Sequence, residues 1–361
     1  MRSYLLFFIS LLLLTLVVWG CSYNEKIPKD WQLLGFEKAN DVNPVLLPDT
    51  SSLFLDPIRN DMVRWEGKDV FNPASLVRND TLFLLYRAED FVGKYNGTSR
   101  IGLAWSLDGL TFNKQPAPVF YPNNDEVKYL EWEGGAEDPR IVEDKSGICY
   151  MTYTAYDGDK ARLLIATSID LKSWQKYGSV FTQEEDINAW TKSGAIVSKL
   201  QGSKMVATKV NGTYWMYFGD THLFVATSLD LIHWDPVLDE NGNWKKVLSP
   251  RQGMFDSDLV EPGPPAILTE KGIVLIYNSR NMQDDFELPK GTYAAGQALY
   301  ALSDPSKLVD RANEYFFYPT EDYEKTGQVN NVCFVEGLSF YKGKWFLYYG
   351  TADSKIAVAV K

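Results

Sequence analysis

Five stretches of the chain alternate aromatic and aliphatic residues, and each runs into a polar turn. They are Leu82-Phe-Leu-Leu-Tyr-Arg-Ala-Glu-Asp90, Cys149-Tyr-Met-Thr-Tyr-Thr-Ala-Tyr-Asp157, Tyr214-Trp-Met-Tyr-Phe-Gly-Asp220, Ile273-Val-Leu-Ile-Tyr-Asn-Ser-Arg280 and Trp345-Phe-Leu-Tyr-Tyr-Gly-Thr-Ala-Asp353. β-branched and aromatic residues in such runs predict half-buried strands, and turns such as Asn211-Gly212 and Lys342-Gly343 precede several of them. The runs begin 67, 65, 59 and 72 residues apart. A second phrase follows three of them: Ala104-Trp-Ser-Leu-Asp-Gly109, Ala166-Thr-Ser-Ile-Asp-Leu171 and Ala226-Thr-Ser-Leu-Asp-Leu231.

Strand, turn, strand, then Ser-x-Asp makes a unit of roughly 60 residues, the size of a four-stranded propeller blade with generous loops. Sandwiches do not repeat at this period. The expected fold is therefore all-β, a five-bladed β-propeller over residues 51–361, with the chain before Phe71 as lead-in and closing strand. No composition break marks a second domain.

Residues 1–20 read as a signal peptide: Arg2 is the positive region, and the apolar run from Leu5 to Val18 is short for a membrane span. Cys21 follows directly, as in a bacterial lipoprotein cleavage box, so it is the expected lipidation site and residues 21–50 a tether and lead-in. The expected location is an exported, membrane-anchored lipoprotein, touching the membrane through its lipid alone. An ordinary signal peptide is the alternative. Cys149 and Cys333, in apolar runs, read as reduced core residues.

The chain carries 36 Lys and Arg against 47 Asp and Glu, a net charge of −11, which argues against nucleic-acid binding. Two histidines leave no three-His zinc site, and no metal or other cofactor is assigned. Aromatics at 14% suit stacking on sugar rings as well as a β core.

In a propeller the innermost strands converge on one channel. The polar ends of the repeats, Arg87, Glu89, Asp90, Asp157, Asp220, Asn278 and Asp353, are candidates to line it, or else turn formers. Gly134-Gly-Ala-Glu-Asp-Pro-Arg-Ile141 adds two carboxylates and an arginine beside a stiffening proline. Glu261 and Glu336 each stand alone in an apolar, Gly/Pro-kinked stretch, where a carboxylate needs a partner or a raised pKa.

Phe71-Asn-Pro-Ala74, Tyr86-Arg-Ala-Glu89, Gly135-Ala-Glu-Asp-Pro-Arg140, Gly263-Pro-Pro-Ala266 and Tyr349-Gly-Thr-Ala-Asp353 together resemble the signature segments of glycoside hydrolase family 130. That family comprises inverting β-mannoside phosphorylases and β-1,2-mannosidases on five-bladed propellers. The resemblance implies that Asp138 is the proton donor, acting through a sugar hydroxyl. It implies that Asn72, Arg87 and Asp353 hold the mannosyl unit, with Tyr86 and Glu137 beside them.

The departures point to water. The phosphorylases' His-Arg-Pro segment is absent, Leu259-Val-Glu261 replaces their Lys-Ile-Gly, and Tyr277-Asn-Ser279 replaces their Tyr-His-Gly. A carboxylate repels a phosphate dianion but serves a water as general base. The expected activity is thus an inverting, exo-acting hydrolase releasing mannose from β-1,2-linked mannosides, with Asp138 as acid and Glu261 and Glu336 as bases. Two alternatives stand: a phosphorylase of the family with Lys192 and Arg251 as phosphate ligands, and a non-catalytic glycan-binding lipoprotein.

Overall fold

A computed structural model describes residues 29–284 and 288–361. Cys21 and the signal segment lie outside the described residues. The structure is mostly β, and the described residues hold three helices of four residues each.

Five antiparallel units follow one another. The first is Asp69–Arg78, Thr81–Glu89, Ser99–Ser106 and Asn113–Lys114. The second is Gly135–Glu143, Cys149–Tyr156, Ala161–Ser168 and Gln175–Ser179. In the third, Ala195–Ile196 pairs with Tyr214–Phe218, which pairs with Phe224–Ser228 and so to Asp235–Pro236. The fourth opens with Leu259–Pro262 and Ile267–Leu268, continues as Ile273–Arg280 and Tyr293–Tyr300, and ends at Leu308–Arg311. The fifth is Cys333–Tyr341, Lys344–Thr351 and Lys355–Val360, and its fourth strand is Glu37–Lys38, from the other end of the chain. The first strands of the first and second units pack on each other, and that of the fifth packs on that of the first, where Ser75 and Ser339 hydroxyls meet at 2.8 Å.

One buried triad recurs in four of the five units and explains their repeat tyrosine. Tyr86 donates to Glu66 at 2.9 Å, and Lys114 pairs with the same carboxylate at 2.9 Å. Tyr153 and Lys176 do the same to Glu131, Tyr277 and Arg311 to Asp256, and Tyr349 and Lys38 to Glu324. In each case the carboxylate precedes the unit, the tyrosine sits on its second strand and the cation on its fourth. Lys38 therefore marks Glu37–Lys38 chemically, as well as by register, as the missing strand of the fifth unit. The third unit departs: Tyr217 donates to the Pro305 carbonyl at 2.8 Å. A buried carboxylate left without its cation costs about 3–5 kcal/mol, so each triad ties the outer edge of a unit to its interior.

The Ser-x-Asp phrase is a turn device. Asp108, Asp170 and Asp230 accept from the backbone amides two and three residues on, and Ser106, Ser168 and Ser228 accept from the amide three residues on. Cys149 and Cys333 are buried free thiols, as expected. Among the described residues no helix is long and apolar enough to cross a membrane.

Candidate active site

Three of the five first strands carry a β-bulge, and the extra residue in each is a polar site candidate. Phe71 pairs with Arg87 and Pro73 with Tyr86, leaving Asn72 unpaired at φ 47°. The register slips between Glu137 and Arg140, where Asp138 stands at φ 48°. It slips again between Val335 and Gly337, at Glu336. A bulge removes a residue from the ladder and re-aims its side chain, and Asn and Asp tolerate the left-handed region better than most residues. The following Pro or Gly (Pro73, Pro139, Gly337) suits a position whose ladder bond is lost anyway. Glu261-Pro262 repeats the same dipeptide in the fourth unit, and Lys192-Ser193-Gly194, with Ser193 at φ 59°, opens the third.

These strands surround a cavity of about 110 Å³ lined by Phe71, Asn72, Arg87, Asp138, Lys192, Glu261, Tyr293, Val332, Phe334 and Asp353. Larger depressions exist on the surface, such as a groove of about 590 Å³ along Tyr121, Trp174 and Tyr177. They lack convergent buried carboxylates, and the small cavity is where the chemistry can occur.

Arg87 anchors one wall. Its guanidinium pairs with Glu89 at 2.7 Å, Glu137 at 2.9 Å and Asp138 at 3.2 Å, and lies over the Phe71 ring at 4.6 Å. Burial opposes its charge, but the three carboxylates hold it firmly protonated. Asn72 Nδ2 donates to Asp138 Oδ1 at 3.0 Å. Asn72 Oδ1 is buried, and among the described residues no protein donor reaches it. A Cβ at Gly350 would come within 2.4 Å of that oxygen, so the fifth unit needs glycine there.

Burial pushes the Asp138 carboxyl up, but Arg87, Lys192, the Asn72 amide and Arg140 outweigh it and hold it down at about 2. Its neighbour Glu137 goes the other way. Burial and the Asp138 charge exceed the pull of Arg87 and raise it to about 7. The two carboxyls share Arg87 and titrate as one site that keeps a single proton to near neutrality. Burial likewise lifts Asp353, at φ 50° on the opposite side of Arg87, to about 7.

Across the cavity Glu261 accepts a short hydrogen bond from the Ser193 hydroxyl. Burial raises its pKa against the opposing pull of Lys192 and Arg140. Lys192 is buried too, yet Glu261, Asp138 and Glu137 keep its ammonium charged.

Glu336 does not lie on the cavity wall. It is fully buried, no hydrogen-bond donor among the described residues reaches either oxygen, and Arg140 Nη1 stands 3.5 Å away. Burial, reinforced by Asp138 and Glu261, raises it well above the usual range.

Arg140, which sequence reasoning left without a role, links these groups. It donates to the carbonyls of Asp138 at 3.1 Å, Pro262 at 2.6 Å and Gly263 at 2.8 Å while facing Glu336. One buried guanidinium thus ties the strand of Asp138 to the strand of Glu261 and to Glu336. The signal was present, since an arginine in an apolar strand beside a kinking proline demands buried acceptors.

Other candidates fall elsewhere. Arg251 binds Asp256 at 2.7 Å and the Ala312 carbonyl at 2.9 Å, in the triad of the fourth unit, and is absent from the cavity lining. Asp90 pairs with Arg100, Asp157 with Arg162, and Asn278 bridges to the backbone of Val335. Glu89 stands behind Arg87. Among the described residues no cluster of three His, Cys, Asp or Glu could hold a metal ion.

Comparison with known proteins gives a consistent picture. A family profile described as beta-1,4-mannooligosaccharide phosphorylase, of the Glyco_hydro_130 family, matches residues 47–361. A 1,2-beta-oligomannan phosphorylase from Thermoanaerobacter sp. is 32% identical over 326 residues, 88% of this chain and 94% of its own length. The crystal structure of a putative glycosidase from Bacteroides thetaiotaomicron superposes with TM-score 0.90 at 47% identity, covering 92% of this chain and 98% of that one. A structure solved in work on family 130 glycoside hydrolases that target beta-1,2 mannosidic linkages in Candida mannan gives TM-score 0.90 at 46% identity, covering 92% and 95%.

Proposed function

This chain belongs to glycoside hydrolase family 130, a family of enzymes acting on mannosides, and from that membership we propose that it is an inverting, exo-acting β-1,2-mannosidase. We read its five successive antiparallel units, the first packed on both the second and the fifth, as the blades of a five-bladed β-propeller.

The observation that carries the hydrolytic reading is the charge state of the cavity. Arg87 is already matched by Glu89, Glu137 and Asp138, and Lys192 faces Glu261, with Glu336 behind. A phosphate dianion entering here would stand close to the Glu261 carboxyl in a buried site, and the Lys192 charge is already drawn on by Glu261, Asp138 and Glu137. The phosphorylase alternative loses Arg251 as well, because Asp256 holds it elsewhere.

In this reading Asn72, Arg87 and Asp353 bind the mannosyl unit. Asp138 supplies the proton to the leaving oxygen through a sugar hydroxyl. The Glu137–Asp138 pair carries the single proton needed, and that proton passes to Asp138 and on through the sugar hydroxyl as the leaving oxygen gains charge. On the other side Glu261, on the cavity wall, orients the attacking water and accepts its proton, with Glu336 behind it as the second carboxyl of that side. Inversion follows if water and proton donor stand on opposite faces of the sugar.

Incubation with β-1,2-mannobiose, with and without phosphate, tests the proposal. Free mannose at the same rate in both supports it, phosphate-dependent mannose 1-phosphate replaces it with phosphorolysis, and binding without turnover leaves only a glycan-binding role. We further propose that Cys21 carries a lipid anchor, on the sequence pattern before it. Cys21→Ala should move the protein from membranes to the soluble fraction, and a variant that still pellets with membranes would remove the anchor from the account.

A further inference from the structure

Glu89, behind Arg87, is itself held from the far side by two residues outside the cavity. One of its oxygens accepts from Arg87 at 2.7 Å. The other accepts from Lys68 at 2.8 Å and from the side-chain amide of Gln328 at 3.1 Å. Lys68 directly precedes the first strand of the first unit, and Gln328 lies in the segment 326–332 that leads into the fifth. The Gln328 amide is engaged at both ends. Its Oε1 accepts from Lys68 at 2.9 Å and from the Asn96 amide, and its Nε2 also reaches Asp69 at 3.4 Å. Lys68 donates to the Asn96 carbonyl as well. Ionised partners make these bonds strong and directional, so Glu89 is fixed and Arg87 with it.

The backbone of the same segment grips the turn that carries Asp353. Gln328 N–H donates to Ser354 Oγ at 3.1 Å, and Val329 N–H donates to the Ala352 carbonyl at 3.3 Å. Ala352 and Asp353 stand at φ 47° and 50°, a conformation that an alanine adopts only under outside constraint. A Cβ at Gly327 would fall 2.2 Å from the Ala352 carbonyl, so the two segments meet backbone to backbone. Arg87 belongs to the first unit and Asp353 to the fifth, and these two units share no strand ladder. Their relative position therefore depends on contacts of this kind. Gln328 makes one to each side.

Resting on the reading that Arg87 and Asp353 bind the mannosyl unit, we infer that Lys68 and Gln328 are positioning residues for that unit. They act through Glu89 on one side and Ser354 on the other, and set where Arg87 and Asp353 stand relative to each other. Neither lines the cavity.

The test is steady-state kinetics on β-1,2-mannobiose in phosphate buffer, followed as substrate consumed, so that hydrolysis and phosphorolysis are both read. Lys68→Met and Gln328→Met keep the length of each side chain and remove its polar bonds. KM should rise about tenfold in each, the size expected for one lost hydrogen bond to a charged group. A contact to the sugar that is equal in ground and transition states appears in KM, and Asp138 keeps its Asn72 bond, so kcat should change less than about threefold. Lys68→Arg, which keeps the cation, should bring KM back to within about threefold of wild type. Gln328 is only half-buried, and Gln328→Met decides the question alone if Lys68→Met does not fold. Folded variants with a lowered melting temperature and wild-type KM would show a merely structural role and overturn the inference while leaving the mannoside reading intact. A wild-type enzyme that does not consume mannobiose would overturn both.

Discussion

Replacing Arg140 probes the join between the two halves of the site. Arg140→Met keeps the length of the side chain but removes three hydrogen bonds to carbonyls and the one cation ion-paired with Glu336 among the described residues. Stranding a buried carboxylate costs about 3–5 kcal/mol, and each orphaned carbonyl about 1–3 kcal/mol unless it relaxes. Glu336 has a raised pKa already and can escape part of this by taking a proton, so the lower figure, about 3 kcal/mol, is the working magnitude. At about 1.5 °C per kcal/mol, from roughly 2.1 cal/mol/K per residue over a fold of about 310 residues, the melting temperature should fall by roughly 4–5 °C. Arg140→Lys separates stability from positioning. Its ammonium can stay near Glu336 but cannot span the carbonyls of Pro262 and Gly263 as the fork does. It should regain part of the lost stability, while kcat stays down about a hundredfold with little change in KM, because Glu261 is no longer held to its place. Thermal melts and steady-state kinetics on β-1,2-mannobiose read both. Arg140→Lys with wild-type kcat, or Arg140→Met melting within about 2 °C of wild type, would refute the clamp.

Asp138→Asn keeps the bond partners of Asp138 but not its proton, and turnover should drop by about two to four orders of magnitude; near-normal turnover would take Asp138 out of the mechanism. Glu261→Gln and Glu336→Gln should each cripple hydrolysis without preventing binding, and the double variant should be little worse than the poorer single one. Independent, multiplying losses in that series would mean that the two glutamates do not serve one water. The activity should also fall as pH rises through about 7, since the Glu137–Asp138 pair is protonated below that value and ionised above it. In Glu137→Gln the remaining carboxyl titrates low, so this limb should move to lower pH; a profile flat from about pH 6 to 9 in the wild type would contradict the assignment.

The five repeats, their strands and the closing role of the N-terminal segment were legible because apolar alternation and turn chemistry are local. Asn72, Arg87, Asp138, Lys192, Glu261 and Asp353 were also legible as a group, and the structure gathers all six around one cavity. What the sequence hid is non-local. Asp157 and Asn278 resemble Asp353 at the ends of their repeats, but nearby partners consume them: Arg162 for the first, the Val335 backbone for the second. Two residues of the site, Asn72 and Asp138, come from bulges in the first strands, where a polar residue before Pro leaves the ladder. A polar residue before Pro or Gly recurs as Asn72-Pro73, Asp138-Pro139, Glu261-Pro262 and Glu336-Gly337, and aligning the units on it brings out three of the cavity residues and Glu336 behind them. The burial of Glu336 behind the wall and the reach of Arg140 across three strands follow only from packing. Likewise the tyrosine reads locally as core in every repeat, and in four of the five its carboxylate and cation partners come from segments that only the fold brings together.

The most direct test of the account is proton NMR of the wild-type enzyme turning over β-1,2-mannobiose in phosphate buffer, followed from the first minutes. Hydrolysis with inversion predicts α-mannose as the first signal from the non-reducing unit, relaxing later to the anomeric mixture, with no sugar phosphate. Accumulation of mannose 1-phosphate, or β-mannose as the first product, would contradict it.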